Sequence, residues 1–162
     1  MLTNNYASLL SLAVGTESDN LPVCKDTNGG TVSPNKTWLA TILQHSLTTI
    51  TGDGKTQRGH WMVFGGGSTA VKSSDISIES PITDGFTVIS QTSNIPYIYS
   101  STAMTVTRII QNTGSVPITI SEVGLYGANG QTTAVMLAHE VSAPITLQPG
   151  EKHSFTMDLC VE

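Results

Sequence analysis

The chain has 162 residues, of which 38% are apolar, 12% charged and 6% aromatic, with a formal net charge of −5; this size and apolar content fit one domain, or one domain with a small appendage. Its 23 Thr and 18 Ser outnumber the 7 basic and 12 acidic residues, which argues against an all-helical bundle, whose exposed faces are usually rich in Glu and Lys. Seven basic residues spread along the whole chain form no patch able to neutralise phosphates, so direct nucleic-acid binding is not expected; no apolar run approaches the roughly 18–20 residues that span a bilayer, and no membrane association is expected either.

Near the start, residues 9–15 resemble the apolar part of a signal peptide, but the first basic residue is Lys25, so the positive segment such a peptide needs is missing. Tyr6, Leu9, Leu10, Ala13 and Val14 instead fall at helical spacing, with Thr3 or Asn4 as N-cap and Gly15 as terminator. The turn-rich stretch 16–35 fits two short strands around a hairpin or an ordered loop. Between 34 and 50, Trp38, Leu39, Ile42, Leu43, Leu47 and Ile50 keep a helical rhythm, with Ser33 as N-cap and Pro34 at the first helical position. These segments form an expected N-terminal part, 1–58, that packs on or anchors a β-sandwich spanning 59–162.

Beyond Gly54 the texture changes to short β-branched runs between turn residues. Strands are expected at 59–64, 76–79, 85–91, 103–112, 117–126, 134–141 and 153–161. Residues 112–115 are expected to close one hairpin, 127–130 another, and 148–151 to precede the last strand. Strands at intervals of about ten residues without interposed helices indicate an antiparallel sandwich or barrel. Within 117–126, Ile118 and Ile120 share a face while Val123 and Leu125 fall on the opposite phase, so burying all four needs a bulge or bend near Ser121 and Glu122. In the last strand Phe155, Met157, Leu159 and Val161 occupy one face, and Ser154, Thr156, Asp158 and Cys160 the other.

Candidate chemistry is sparse. Gly52 to Thr56 ends like a phosphate-binding loop, but Thr49 stands where the pattern needs Gly. Gly65, Gly66 and Gly67 read as a flexible or tight connection more readily than as a ligand-approach site. Asp26 to Gly30 is oxygen-rich, yet its glycine is out of register for a calcium loop and no Glu closes it. His45, His60, His139 and His153 show no metal-ligand spacing, no Ser lies in a G-x-S-x-G elbow, and His139 with Glu140 reads as a polar pair at a strand edge. Cys24 and Cys160 share no metal or redox motif and read as free thiols. No catalytic, cofactor or metal residue is therefore assigned, no cofactor is expected, and the chain reads as a non-enzyme. Tyr97 and Tyr99, alternating about Ile98, together with Trp61 and Tyr126, are the candidates for an interface or for glycan contact.

Residues 106–127 (VTRIIQNTGSVPITISEVGLYG) and 136–159 (MLAHEVSAPITLQPGEKHSFTMDL) resemble β-sandwich virion proteins of tailed bacteriophages. In those proteins a strand, an Asn-x-Gly turn, an ISEVGLY strand and a PITL-x-PGE turn lead to a terminal alternating strand. Residues 1–6, 64–68 and 79–82 look similar to them as well. The resemblance implies a mainly β fold, an antiparallel Greek-key sandwich of immunoglobulin-like or jelly-roll type, here with one or two N-terminal helices. It also implies a structural role in the virion, as capsid decoration or as a head–tail or tail accessory. The partners would be copies of the chain itself and neighbouring capsid, portal, neck or tail proteins. The alternative is a carbohydrate-binding module for host recognition or adhesion.

Overall fold

A computed structural model describes residues 1–13, 23–35, 38, 42, 58–94, 103–129 and 134–160. Among them are one helix, α1 (Asn4–Ala13), and eight strands: β1 (Cys24–Lys25), β2 (Thr31–Val32), β3 (Arg58–Gly65), β4 (Phe86–Asn94), β5 (Ala103–Asn112), β6 (Ile118–Asn129), β7 (Val135–Leu147) and β8 (Lys152–Cys160). The strands form antiparallel sheets in the orders β1-β2, β3-β6-β7 and β4-β5-β8. The molecule is mainly β, as the Thr-rich, charge-poor composition suggests.

The helix starts where its sequence places it. Thr3 caps it, its Oγ1 accepting the Tyr6 N–H at 3.4 Å, while the same hydroxyl donates to the Met136 carbonyl at 2.6 Å. Cap and sheet are thereby joined through one side chain. The residues before the helix continue the sheet: Leu2 bridges to Ala138, and the Thr3 N–H donates to the Leu137 carbonyl. Of the second expected helix, Trp38 and Ile42 are helical and buried, but Pro34 and Asn35, where it was expected to begin, are not helical; its other positions lie outside the described residues. Within the 16–35 stretch the described residues 23–35 hold the β1-β2 hairpin, with Gly29 at φ 82°, a left-handed conformation that favours glycine. Asp26 Oδ1 accepts the Asn28 and Gly30 N–H groups at 2.9 and 2.7 Å, so this oxygen-rich segment is a turn organised by its own carboxylate.

The two three-stranded sheets share one hydrophobic cluster. Met62, Phe64, Ile120, Val123, Leu125, Val135 and Leu137 from β3-β6-β7 meet Val106, Ile110, Phe155, Met157 and Leu159 from β4-β5-β8. Phe64 bridges them, its ring 5.0 Å from Phe155 and 5.6 Å from Phe86. Tyr6, Leu9, Cys24, Val32, Trp38 and Ile42 join the same cluster. Cys24 is a free, buried thiol whose pKa burial pushes up to about 11. The expected irregularity in β6 is present: the β6-β7 register shifts between Ile120 and Glu122, and Ile118, Ile120, Val123 and Leu125 all pack on the common cluster.

Four expectations need correction. Residues 112–115 do not close a hairpin; they cross from β5 in one sheet to β6 in the other. The buried Asn112 side chain fixes that crossing, donating to the Val116 and Leu147 carbonyls at 2.9 Å each and accepting the Gly114 N–H at 2.9 Å. Residues 127–129 belong to β6 and are not turn residues; Gly130 lies outside the described residues. β7 runs on to Leu147 because Ile145 to Leu147 re-pair with β6 beyond the irregular Ser142 to Pro144. Residues 76–79 are not a strand; they belong to a strap running from the end of β3 to the short Gly65–Pro81 bridge.

Candidate functional site

The face of β3-β6-β7 turned away from the common core is where sequence and structure differ most. Trp61, Tyr126, Ala128 and Met136 form a second apolar cluster there, and Ile78 from the strap completes it. Trp61 and Tyr126 stand opposite one another in the β3-β6 register, their rings stacked at 6.1 Å. They are only 1% and 4% exposed. Neither ring offers a platform to a glycan or to a partner, because the strap lies over them; the expectation that they are contact residues is corrected for these two. The hydroxyl of Tyr126 accepts the Ile78 N–H at 2.8 Å, and burial raises its pKa. Tyr97 and Tyr99 lie outside the described residues.

Beside this cluster Glu122, 1% exposed, stands in the middle of β6. Oε1 accepts the Glu79 N–H at 2.6 Å and faces His139 Nε2 at 2.9 Å. Oε2 accepts the Gly67 N–H at 3.1 Å and the Ser80 N–H at 3.2 Å. An ionised carboxylate offers about four lone-pair sites, and here each has a partner. The strap's own amides, which a strand would give to a neighbouring strand, are satisfied by this side chain instead. Close approach is required for this: a Cβ on Gly67 would collide with the Glu122 carboxylate. The glycine triplet is thus a tight connection.

His139, 4% exposed, continues the network, with Nδ1 2.8 Å from Asp75 Oδ2. The imidazole thus lies between a carboxylate of the sheet and one of the strap. Each ring nitrogen is within hydrogen-bond distance of a carboxylate oxygen, so the ring is held from both sides. The reading of His139 and Glu140 as an edge pair is corrected: Glu140 is exposed, and the partners of His139 are Glu122 and Asp75. Burial acts to raise the Asp75 pKa, but the Lys72 N–H, the His139 hydrogen bond and the charges of His139 and Lys72 outweigh it and lower the pKa on balance. Glu79 pins the strap from the solvent side, accepting the Ser68 and Thr69 N–H groups at 3.2 Å each. The Thr69 hydroxyl first, and then these backbone N–H bonds, lower its pKa.

A cleft of about 310 Å³ opens over this network, lined by Thr69, Lys72, Asp75, Ser77, Glu79 and His139 among others. The groups at its floor already hold one another: Glu122 has no acceptor site to spare, and both nitrogens of His139 face carboxylates. Among the described residues no group of three or more His, Cys, Asp or Glu is arranged to hold a metal ion, and no helix is long and apolar enough to cross a membrane. What the arrangement does chemically is bind a backbone: it fastens 66–80 to β6 and β7.

The outer face of β4-β5-β8 is different. Thr87 and Ile89 from β4, Thr105, Thr107, Ile109 and Gln111 from β5, and Lys152, Ser154, Thr156 and Asp158 from β8 point away from the core. Their links run across strands: Thr107 meets Thr156 at 3.0 Å, and Thr105 donates to Asp158 at 2.6 Å.

No protein-family model matches the chain, and neither a curated protein nor a solved structure is significantly similar to it.

The sequence reading missed Glu122 and Asp75. A carboxylate flanked by Ser121 and Val123 in β6 is a local signal for Glu122, since a buried carboxylate needs partners. Asp75 gives no such signal, because it lies 64 positions from His139 in a segment that reads as an ordinary polar turn.

Proposed function

We propose that this chain is a non-enzymatic structural component of a tailed-phage virion, assembling through sheet faces and edges with copies of itself and with neighbouring capsid, neck or tail proteins. The observation that carries the reading is the open, hydroxyl-rich face of β4-β5-β8. Thr107 and Thr156 bond to each other across strands there, Thr105 bonds to Asp158, and among the described residues of the face only Lys152 and Asp158 are charged. Such a face is cheap to desolvate against another subunit compared with a Lys- and Glu-rich surface.

Two further features support it. The segments that resemble phage virion proteins coincide with β5-β6 and β7-β8, the strands that tie the two sheets together. The connectivity favours a Greek-key sandwich: β3 and β6 are neighbours in one sheet, while the β4-β5 hairpin between them in sequence belongs to the other. The polar network that most resembles a catalytic one is engaged in holding the strap, which favours a structural reading over an enzymatic one.

The test is peptide mass spectrometry of purified virions of the phage encoding the chain. The chain is expected in the particle at a stoichiometry of several copies. Its absence from washed particles overturns the reading.

A further inference from the structure

We propose that β8 is the joint between two copies of this chain, which pair antiparallel along this edge and extend β4-β5-β8 into a continuous six-stranded sheet. The inference rests on the assembly reading for the identity of the partner and adds the strand, the register and the contacts.

The two three-stranded sheets have four edges, and three are guarded. β7 carries the bridge from Leu2, register shifts against β6, and Pro144. β3 ends in the Gly65–Pro81 bridge, with the Ile82 N–H donating to the Phe64 carbonyl. β4 is bulged between Val88 and Ser90. Natural sheets use such bulges, prolines and covering segments to keep an edge from templating another strand. Among the described residues β8 has none of them. It is nine residues long, lacks proline, and keeps an unbroken register with β5 from Lys152 to Cys160. Among the described residues no strand lies on its second edge. Its inward positions Phe155, Met157 and Leu159 are apolar and buried, and Ser154 and Thr156 face outward.

The charges on its outer face select the occupant. In a two-fold interface, if residue i meets residue j, then j also meets i. Antiparallel pairing with Phe155 opposite its own copy sets Lys152 of one copy across from Asp158 of the other, twice per dimer, and Ser154 across from Thr156. Sliding the register by two residues in either direction loses both ion pairs. Opposite charges directly across strands stabilise pairing and like charges oppose it, so this edge is complementary to itself in one register. Asp158 is already oriented on that face by the Thr105 hydroxyl.

The experiment is sedimentation of the full chain as wild type, K152D, D158K, and an equimolar mixture of the two variants. Both positions are exposed, and circular dichroism checks that each variant is folded. The wild type is expected to dimerise. Each variant alone places like charges at both contacts and is expected to weaken the dimer about tenfold. The mixture regains two Lys–Asp pairs in the heterodimer, so its affinity returns to about the wild-type value. A wild type that stays monomeric at high concentration, single variants that dimerise as the wild type does, or a mixture that fails to recover each overturns the proposal. Presence in the particle is a separate readout: a chain found in virions whose assembly ignores these substitutions keeps its proposed function and loses this joint.

Discussion

On the outer face of β3-β6-β7, Glu122, His139, Trp61 and Tyr126 lie beneath the strap, while on the outer face of β4-β5-β8, Thr107, Thr156, Ser154 and Asp158 meet solvent. Both faces began as the second side of a three-stranded antiparallel sheet, a side that commonly stays wet. The first is built to hold one particular segment of its own chain: its buried carboxylate matches the strap amides one by one, and a Cβ on Gly124 would come within 2.6 Å of the Tyr126 ring and 2.7 Å of Ile78. The second holds nothing of its own chain among the described residues. Its Thr107 and Thr156 hydroxyls bond to each other, its β8 edge is regular, and its charges are few. A buried, fully paired carboxylate specifies one partner within the chain; a hydroxyl-lined surface with two charges leaves the partner to register and to those charges.

The largest effect that would break this contrast is expected at Glu122. Glu122→Gln keeps the shape but turns an acceptor into a donor facing N–H groups, and a buried network broken in this way typically loses about 3–5 kcal/mol. Urea unfolding is expected to show a loss of that size, with faster amide exchange across 66–80. A loss below about 1 kcal/mol would mean that the strap is held by its apolar contacts alone.

Acid sharpens the contrast at a smaller scale. The Asp75 pKa is lower in the folded chain than in an unfolded one, so its carboxylate contributes stability above the unfolded value. That contribution is lost as pH falls through the folded one, below about pH 4. Melting temperature followed downward from neutral pH is expected to fall less steeply in Asp75→Asn, which lacks the titrating group. Equal slopes in variant and wild type would remove Asp75 from the latch.

The smallest effect belongs to the open face. Thr107→Ala removes a hydroxyl whose partner Thr156 can turn to water, so monomer stability is expected to stay within about 0.5 kcal/mol of the wild type by thermal melting. A large loss would show that the face is part of the monomer's own architecture.

How much of this was legible follows from the range of the interactions. The α1 cap at Thr3, the alternating faces of β8 and the irregularity at Ser121 and Glu122 depend on near neighbours, and periodicity exposed each of them. The sheet crossing at 112–115 was misread because an Asn-x-Gly signal reports a turn without reporting which sheet the chain enters next; Asn112 settles that through Leu147, 35 positions away. The strap was read as a strand at 76–79 because Ile76 and Ile78 alternate with serine, yet its amides bond to side chains of β6. The burial of Trp61 and Tyr126 was invisible for the same reason, since nothing in either strand announces a cover arriving from between β3 and β4.

Hydrogen–deuterium exchange of the full-length wild type, compared at low and high protein concentration, measures the two faces in one experiment. The account predicts protection of the 66–80 amides that does not change with concentration, and protection of the β8 amides that rises with it. Concentration-dependent protection of the strap with unchanged exchange along β8 would contradict it.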